Sequence, residues 1–169
     1  RRGISHPVGM TFQFQGGNNQ TLFESPADWI SPNAEGGYRH DPPDGAGKKV
    51  ILSDTDHLWG IGGNRQWVWK SFLRGLNPVF MDPYDGKVLE RGSGEIWAEE
   101  IRVAMGHTQT FAKKLDLINF KPAKIIASSG YCLENPGKEL LIYIPEGKKV
   151  EVNLTSIFGN FDVEWFDTV

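Results

Sequence analysis

The pattern of apolar and polar positions predicts three strands within the first 117 residues. Residues 7–15 alternate apolar and polar side chains, as a half-buried strand does. Residues 48–54 contain a continuous apolar run, which is typical of a parallel strand that is covered on both faces. A third apolar run, over residues 77–84, predicts a short third strand.

Helical periodicity occurs in two segments that lie between or after these strands. Apolar residues recur at every third or fourth position over residues 64–75, where Asn64 can cap the first turn and Gly75 can end the last. A longer helix is predicted over residues 95–117 by the same spacing. Strands that alternate with helices in this way are typical of parallel α/β architecture.

A long polar connection, residues 18–47, joins the first two strands. It is rich in Gly, Pro, Asn and Asp, and connections of more than about 12–15 residues without their own structure are usually functional or disordered. The aromatic and aliphatic residues within it favour an ordered, packed loop. Residues 25–30 predict one helical turn, with Ser25 as its N-cap and Pro26 at its first position.

The pattern changes after Leu117. Residues 125–154 contain apolar runs separated by the turn sequences Asn-Pro-Gly and Pro-Glu-Gly, and alternation returns over residues 161–165. Such a succession is typical of an antiparallel β-sandwich. We therefore expect an α/β plus β fold with two units, residues 1–118 and residues 119–169.

Composition and charge narrow the classes of function. The formal net charge is −3 and the basic residues form no cluster, which argues against nucleic acid as a partner. No apolar run approaches the roughly 18 residues that a membrane span needs, so we expect no membrane partner. The single Cys132 excludes an internal disulfide and a cysteine zinc site, and its position predicts a buried apolar role. We expect no cofactor and no metal.

Polar and aromatic side chains lie at or just beyond the end of each predicted strand. Ligands of parallel α/β folds bind beyond the carboxyl ends of the strands. Carboxylates accept hydrogen bonds from hydroxyl groups and a Trp face stacks on a sugar ring, so these residues suit a polyhydroxylated ligand. The candidate site residues, in chain order, are Gln13, Gln15, Asp54, Asp56, His57, Trp59, Asp82 and Tyr84.

Other interpretations of the Asp-Thr-Asp-His sequence remain open. An Asp that follows a strand often forms a turn, which leaves a structural role for Asp56. The cluster could ligate a metal, although the sequence offers no second cluster. The Asp-x-Asp spacing also resembles the phosphoaspartyl motif of haloacid-dehalogenase-type phosphatases, but that motif continues Gly-Thr where this chain continues His-Leu-Trp. We expect Trp59 to be mostly buried and His57 to bond a carboxylate or a backbone carbonyl.

Three stretches, residues 6–33, 49–86 and 130–147, resemble a bacterial family of glycoside hydrolases. The most specific sequences are Ser-Asp-Thr-Asp-His-Leu-Trp-Gly-Ile-Gly-Gly and Arg-Gly-Leu-Asn-Pro-Val-Phe-Met-Asp-Pro-Tyr. The family is related to apiosidase-like and cellulase-like (β/α)8 barrels. Its C-terminal β-sandwich is labelled a collagen-binding domain of a collagenase, and nothing in these residues indicates collagen recognition.

The resemblance implies that residues 1–118 are the C-terminal portion of a (β/α)8 TIM-type barrel, about strands six to eight. Residues 119–169 would be the N-terminal part of the sandwich. The nucleophilic carboxylate of such barrels lies at the end of strand seven, which implies a catalytic role for Asp54, with Asp56 as the alternative. Their acid/base carboxylate lies on strand four, which this chain does not contain.

The expected function is therefore that of a fragment of a glycoside hydrolase that does not hydrolyse glycosides alone. The alternative is a non-catalytic module that binds carbohydrate or protein or has a structural role. The expected partner is an oligo- or polysaccharide, with self-association through unpaired strand edges at residues 7–15 and 78–82. We expect the chain to be part of a longer protein, because both of its ends have strand-like patterns. No targeting signal is visible, and the resemblance implies a secreted or periplasmic parent.

Overall fold

The computed structural model describes residues 6–45, 47–58, 62–82, 96–155 and 157–169. These residues form a parallel sheet, an antiparallel sheet and the helices that pack on them. Three short 3-10 turns lie at Glu35–Gly37, Asp56–Leu58 and Leu117–Asn119. In chain order the main elements are β1 (Gly9–Thr11), α1 (Asn19–Glu24), β2 (Trp29–Ser31), β3 (Val50–Asp54), α2 (Arg65–Leu73), β4 (Asn77–Val79), α3 (Ile96–Lys114), β5 (Lys121–Pro122), β6 (Cys132–Asn135) and β7 (Glu139–Ile142).

The first sheet has four parallel strands in the sequential order β1-β2-β3-β4. Ile30 of β2 pairs with Ile51 of β3, and both are buried on the face that packs with α1 and the loops between strands. The opposite side, which we call the open face, is less covered, and Val50 there is 53% exposed. The expectation that β3 is covered on both faces is therefore wrong. By alternation and register, the open face carries Thr11, Trp29, Ser31, Val50, Leu52, Asp54, Asn77 and Val79.

The strand β2 occupies the place where the sequence predicts a helical turn. A helix does form nearby, but it is α1, and its N-cap is Asn18, whose side-chain oxygen accepts from the amide of Thr21 at 2.9 Å. Ser25 ends this helix instead of starting one. Because Ile30 is completely buried between two neighbouring strands, tertiary pairing outweighs the local preference of the sequence.

The two predicted helices after β3 are confirmed. The side chain of Asn64 accepts from the amide of Trp67 at 2.8 Å, and Gly75 ends α2 with a φ of 72°. The helix α2 buries side chains towards α3 and also towards the antiparallel sheet, where Tyr131 and Tyr143 join the same core. This helix is thus the central element of the larger core.

The antiparallel sheet has the order β5-β6-β7, and the Asn-Pro-Gly turn joins β6 to β7 as predicted. Cys132 of β6 is 1% exposed, and burial raises its pKa to about 12, which confirms its apolar role. The alternation over residues 149–154 and 161–165 predicts further strands, but these segments form none. Val152 makes one isolated bridge, and residues 161–169 belong to no strand. Alternation predicts which side chains share a face, whereas a strand also needs a continuous ladder. Residues 151–153 are joined to residues 126–128 by one bridge and two backbone hydrogen bonds, and no described strand pairs with residues 161–165.

Arg74 connects the two sheets at the end of α2. Its side chain is 4% exposed and donates hydrogen bonds to Asp44 at 2.8 Å and to Asp41 at 3.2 Å. The guanidinium carbon lies 4.7 Å from the ring centre of Tyr131, whose hydroxyl donates to the same Asp41 carboxylate at 2.8 Å. This cluster therefore joins α2, the loop before β3 and the start of β6.

The cluster predicts a stability cost for the substitution Arg74→Met. Methionine preserves much of the apolar stem but removes the charge that holds the two carboxylates and stacks on Tyr131. Asp41 and Asp44 are both partly exposed and can be solvated, so we expect a loss of about 1–3 kcal/mol in the free energy of unfolding. Urea unfolding measures this loss. Lys138→Met in the exposed β6–β7 turn is the control, and an equal effect of both substitutions would contradict this role of Arg74.

The same cluster predicts a loss of stability in acid. Partial burial opposes ionisation of Asp41, but the hydrogen bonds from Tyr131 and Arg74 outweigh it and lower the pKa of this carboxyl below its ordinary value of 3.8. The carboxylate of Asp41 therefore contributes stability above about pH 4, and this contribution disappears as the pH falls through the lowered pKa. Thermal unfolding between neutral pH and pH 2 should show a smaller acid-induced loss in Asp41→Asn than in the parent chain. Tyr131→Phe, which removes one of these hydrogen bonds, should give an intermediate loss.

Candidate functional site

The carboxyl ends of the four parallel strands meet at one rim of the sheet. Thr11 of β1 is opposite Ser31 of β2, and Asp54 of β3 is opposite Val79 of β4. Asp82 follows β4 by three residues, so it lies beyond the same end of the sheet as Asp54. The prediction that these two carboxylates lie at one end of a parallel sheet is confirmed.

Three polar side chains of this rim share the open face. They are Thr11, Ser31 and Asp54, which alternate with the residues that point into the helix-covered core. A ligand at this rim would meet the hydroxyl group of Thr11 and the carboxylate of Asp54, whereas Ser31 is 4% exposed and its hydroxyl contacts His57. This juxtaposition depends on the register between β1, β2 and β3.

His57 connects the ends of three strands. Its Nε2 lies 3.3 Å from the hydroxyl of Thr11, and its Nδ1 lies 3.0 Å from the hydroxyl of Ser31 and 3.3 Å from the carbonyl oxygen of Pro32. Because a carbonyl can only accept, the contact with Pro32 favours the tautomer in which Nδ1 carries the proton. The nitrogen Nε2 then accepts from Thr11. The prediction that His57 bonds a backbone carbonyl is confirmed.

Asp54, the last residue of β3, has a structural role in the turn that follows the strand. The carboxylate of Asp54 accepts from the amide of Asp56 at 3.0 Å, which forms an Asx-type turn into the 3-10 turn that carries His57. The structural role that the sequence left open for Asp56 is thus performed by Asp54. One Asp54 oxygen stabilises the turn, and the half-buried carboxylate lies on the open face.

Asp82 is tied to the long helix α3. Arg102 donates to both of its oxygens, at 2.7 and 2.6 Å, and also to Glu99 at 3.2 Å. The hydrogen bonds that Arg102 donates to Asp82 are the main reason that the pKa of Arg102 is raised. The carboxylate expected to bind a ligand is therefore one that anchors α3 to the rim.

The remaining predicted site residues contribute little to this geometry. Gln13 and Gln15 are exposed in the turn that follows β1, and Gln15 has a φ of 63°. They lie beyond the carboxyl end of β1, as predicted, without a contact to the aspartates among the described residues. Trp59 and Tyr84, including the expected burial of Trp59, lie outside the described residues.

Several polar residues of the rim were not predicted from the sequence. Thr55 is completely buried, and its hydroxyl accepts from the amide of Met81 at 2.9 Å while its own amide donates to Val79 at 3.1 Å. Asn33, which follows β2, is 1% exposed, and its side-chain nitrogen has no hydrogen-bond partner among the described residues. A short polar residue just after a strand is the signal that could have identified both.

Within the described part of the chain, no group of three or more His, Cys, Asp or Glu residues is arranged to hold a metal ion. No helix formed by those residues is long and apolar enough to cross a membrane. The polar groups of the rim are carboxylates that can act as a base, a nucleophile or a hydrogen-bond acceptor, together with hydroxyl groups and an imidazole ordered by hydrogen bonds.

The comparisons with known proteins identify no family for this chain. The sequence matches no protein-family model, and searches of curated proteins and of solved structures found no match.

Proposed function

We propose that this chain is part of a carbohydrate-active glycoside hydrolase, and that residues 1–118 form the C-terminal portion of a (β/α)8 barrel. The sequential order of four parallel strands, with helices on one face, supports this proposal because barrels of this type are built in that way. Four strands would correspond to strands five to eight, and β3 remains strand seven. The hairpin of β6 and β7 supports a sandwich over residues 119–169.

The observation that carries the proposal is the position of Asp54. Its carboxylate lies on the open face at the carboxyl end of β3, on the same rim as the hydroxyl groups of Thr11 and Ser31. In a closed barrel, that face is the interior and that rim is the mouth, where the active sites of such enzymes lie. A carboxylate there can attack the anomeric carbon of a sugar or activate a water molecule, while the exposed Thr11 can bind the sugar through its hydroxyl group.

A glycoside hydrolase needs a second carboxyl group to protonate the oxygen of the leaving group. The resemblance to barrel hydrolases attributes that group to a strand outside this chain. The single chain should therefore fail to hydrolyse an ordinary glycoside, whose alkoxide leaves slowly without protonation. A substrate with a very acidic leaving group needs no such help, and this difference allows the role of Asp54 to be isolated.

We predict that the 169-residue chain slowly releases dinitrophenolate from 2,4-dinitrophenyl glycosides but releases no product from the corresponding methyl glycosides. The Asp54→Asn substitution should reduce the enzymatic part of the release by about tenfold or more, since the amide is neither a nucleophile nor a base. The 2,4-dinitrophenyl glycosides of several different sugars are tested, and the release of dinitrophenolate is followed by its absorbance against a blank without protein.

The variant Asp56→Asn is the matched control for this measurement. It preserves the backbone amide that bonds Asp54, so release should stay within about twofold of the parent. If Asp56→Asn and not Asp54→Asn removed the activity, the roles of the two residues would be exchanged. The catalytic proposal would be contradicted if the parent chain released dinitrophenolate from none of these glycosides faster than the blank.

A non-catalytic binding module is the second candidate, and one observation favours it. Trp165 and Phe158 near the end of the chain are 81% and 89% exposed, and Phe161 is partly exposed as well. Exposed aromatic rings stack on sugar rings and also form anchors of protein interfaces. In this interpretation the ligand binds residues 157–169, and the parallel sheet only supports them.

Depletion binding to insoluble polysaccharides distinguishes the two candidates. In a binding module, Trp165→Ala should weaken retention by roughly threefold to tenfold because a stacking surface is lost, while Asp54→Asn should leave it unchanged. The opposite result, retention that depends on Asp54 and not on Trp165, would support a ligand site at the rim and would exclude the second candidate.

A further inference from the structure

The loop before β3 contains an aspartate that glycine follows, Asp44-Gly45. Among aspartyl dipeptides, Asp-Gly rearranges most readily, because no side chain hinders the approach of the glycine nitrogen to the aspartate side chain. The rearrangement closes a five-membered succinimide and opens it again as an isoaspartyl bond. An Asp-Gly sequence in a folded chain is therefore a candidate site of covalent modification.

The end of α2 holds both reacting groups of this dipeptide. The guanidinium of Arg74 donates to the Asp44 carboxylate at 2.8 Å, and the carbonyl oxygen of Arg74 accepts from the amide of Gly45 at 2.7 Å. The side chain of Arg74 is 4% exposed, whereas that of Asp44 is 43% exposed. A single residue of the helix thus bonds the electrophile through its side chain and the nucleophile through its backbone.

Packing explains why glycine occupies this position. A Cβ added to Gly45 would lie 3.0 Å from the carbonyl oxygen of Gly75 and 3.1 Å from that of Arg74, which is closer than such atoms normally approach. A side chain there would push the loop away from the end of α2. The close approach that favours glycine also creates the reactive dipeptide, so its reactivity depends on the groups around it.

We propose that Asp44 is a latent isoaspartate site that Arg74 keeps unreactive in the folded chain. In the reaction, the carboxylate takes up a proton from solvent, and the nitrogen of Gly45 attacks Cγ of Asp44. A bond forms between this nitrogen and Cγ, and one carboxyl oxygen leaves as water with the carboxyl proton and the amide proton. Water then opens the ring at the main-chain carbonyl of Asp44, which leaves Gly45 attached through Cγ. The reaction needs no other reactant.

Each contact with Arg74 opposes one part of this reaction. The charged carboxylate accepts the hydrogen bond from the guanidinium, and it is a much poorer electrophile than the carboxylic acid. The bond to the Arg74 carbonyl directs the amide of Gly45 towards α2, so the nitrogen cannot turn to Cγ while that bond persists. Isomerisation then proceeds from states in which the loop has left the helix, and its rate follows their population.

Isomerisation would separate this loop from α2 permanently. An isoaspartyl residue adds one atom to the main chain and places the carboxylate on Cα, so Asp44 and Gly45 could no longer bond Arg74 together. Of the two carboxylates that bond Arg74, only that of Asp41, at 3.2 Å, would remain. Because the cluster joins the two sheets, the modified chain should unfold at a lower urea concentration than the unmodified chain.

Ageing of the 169-residue chain at neutral pH and physiological temperature tests the proposal. Isoaspartate at residue 44 is measured by chromatographic separation of the peptide isomers and by labelling with an isoaspartyl methyltransferase. We expect the folded chain to form it at least about tenfold more slowly than the chain in guanidinium chloride, because the open population limits the reaction. In the denatured chain, Asp85-Gly86 is the internal reference, since it is the same dipeptide.

Variants separate the role of Arg74 from that of the fold as a whole. Arg74→Met retains the carbonyl acceptor but frees the Asp44 carboxylate, so isomerisation of the folded chain should be about fivefold faster or more. Arg74→Lys keeps a charge near the carboxylate and should give an intermediate rate. The control Ile101→Val destabilises the core on α3, which carries no member of the cluster, and should leave the rate within about twofold of the parent.

Circular dichroism checks that each variant is folded before ageing. If Arg74→Met does not fold, the comparison of Arg74→Lys with the parent chain decides the outcome. The proposal would be overturned by equal rates in the Arg74 variant and Ile101→Val. It would also be overturned by a parent chain that forms isoaspartate at residue 44 as fast when folded as when denatured.

Discussion

The pairing of β3 with a parallel strand on each side is the constraint on which the rest of this structure depends. Ile51 must face the core with Ile30, and this register places Asp54 on the opposite face, at the end of the strand. A shift of one residue would exchange the two faces, burying the carboxylate among apolar groups and exposing the isoleucine. The position of the candidate nucleophile is thus a consequence of apolar packing elsewhere on the same strand.

The segments with strong periodicity could be predicted from the sequence, and those that depend on distant neighbours could not. The helix α2 has an N-cap at Asn64 and a glycine at its end, which are local signals that the fold preserves. The strand β2 has only three residues and follows Ser-Pro, which is typical of a helix start, so it is identified only by the strands beside it. The same limit applies to residues 161–165, whose alternation is clear although none of the strands that the structure describes pairs with them.

The candidate site also contains some residues that local sequence signals predict and others that depend on distant neighbours. Asp54 could be predicted because an apolar run that stops at a carboxylate is visible in the sequence, and the contact of His57 with a backbone carbonyl follows from its place beside that strand. The contributions of Thr11 and Ser31 could not be predicted, since Thr and Ser are common in strands and only the register places them against the imidazole. The ion pair of Asp82 with Arg102 likewise depends on where α3 lies.

The elements that carry the site differ in how firmly they are held. The helix α2 buries most of its side chains between the sheets, so its amides can exchange hydrogen only when much of the core opens. The strand β3 has ladder hydrogen bonds on both sides, whereas the three residues of β1 are exposed and pair with one neighbour among the described strands. Fluctuations of β1 can therefore separate Thr11 from His57 while Asp54 stays in place. The β3 side of the rim is thus the more rigid side, and the β1 side opens on a faster timescale.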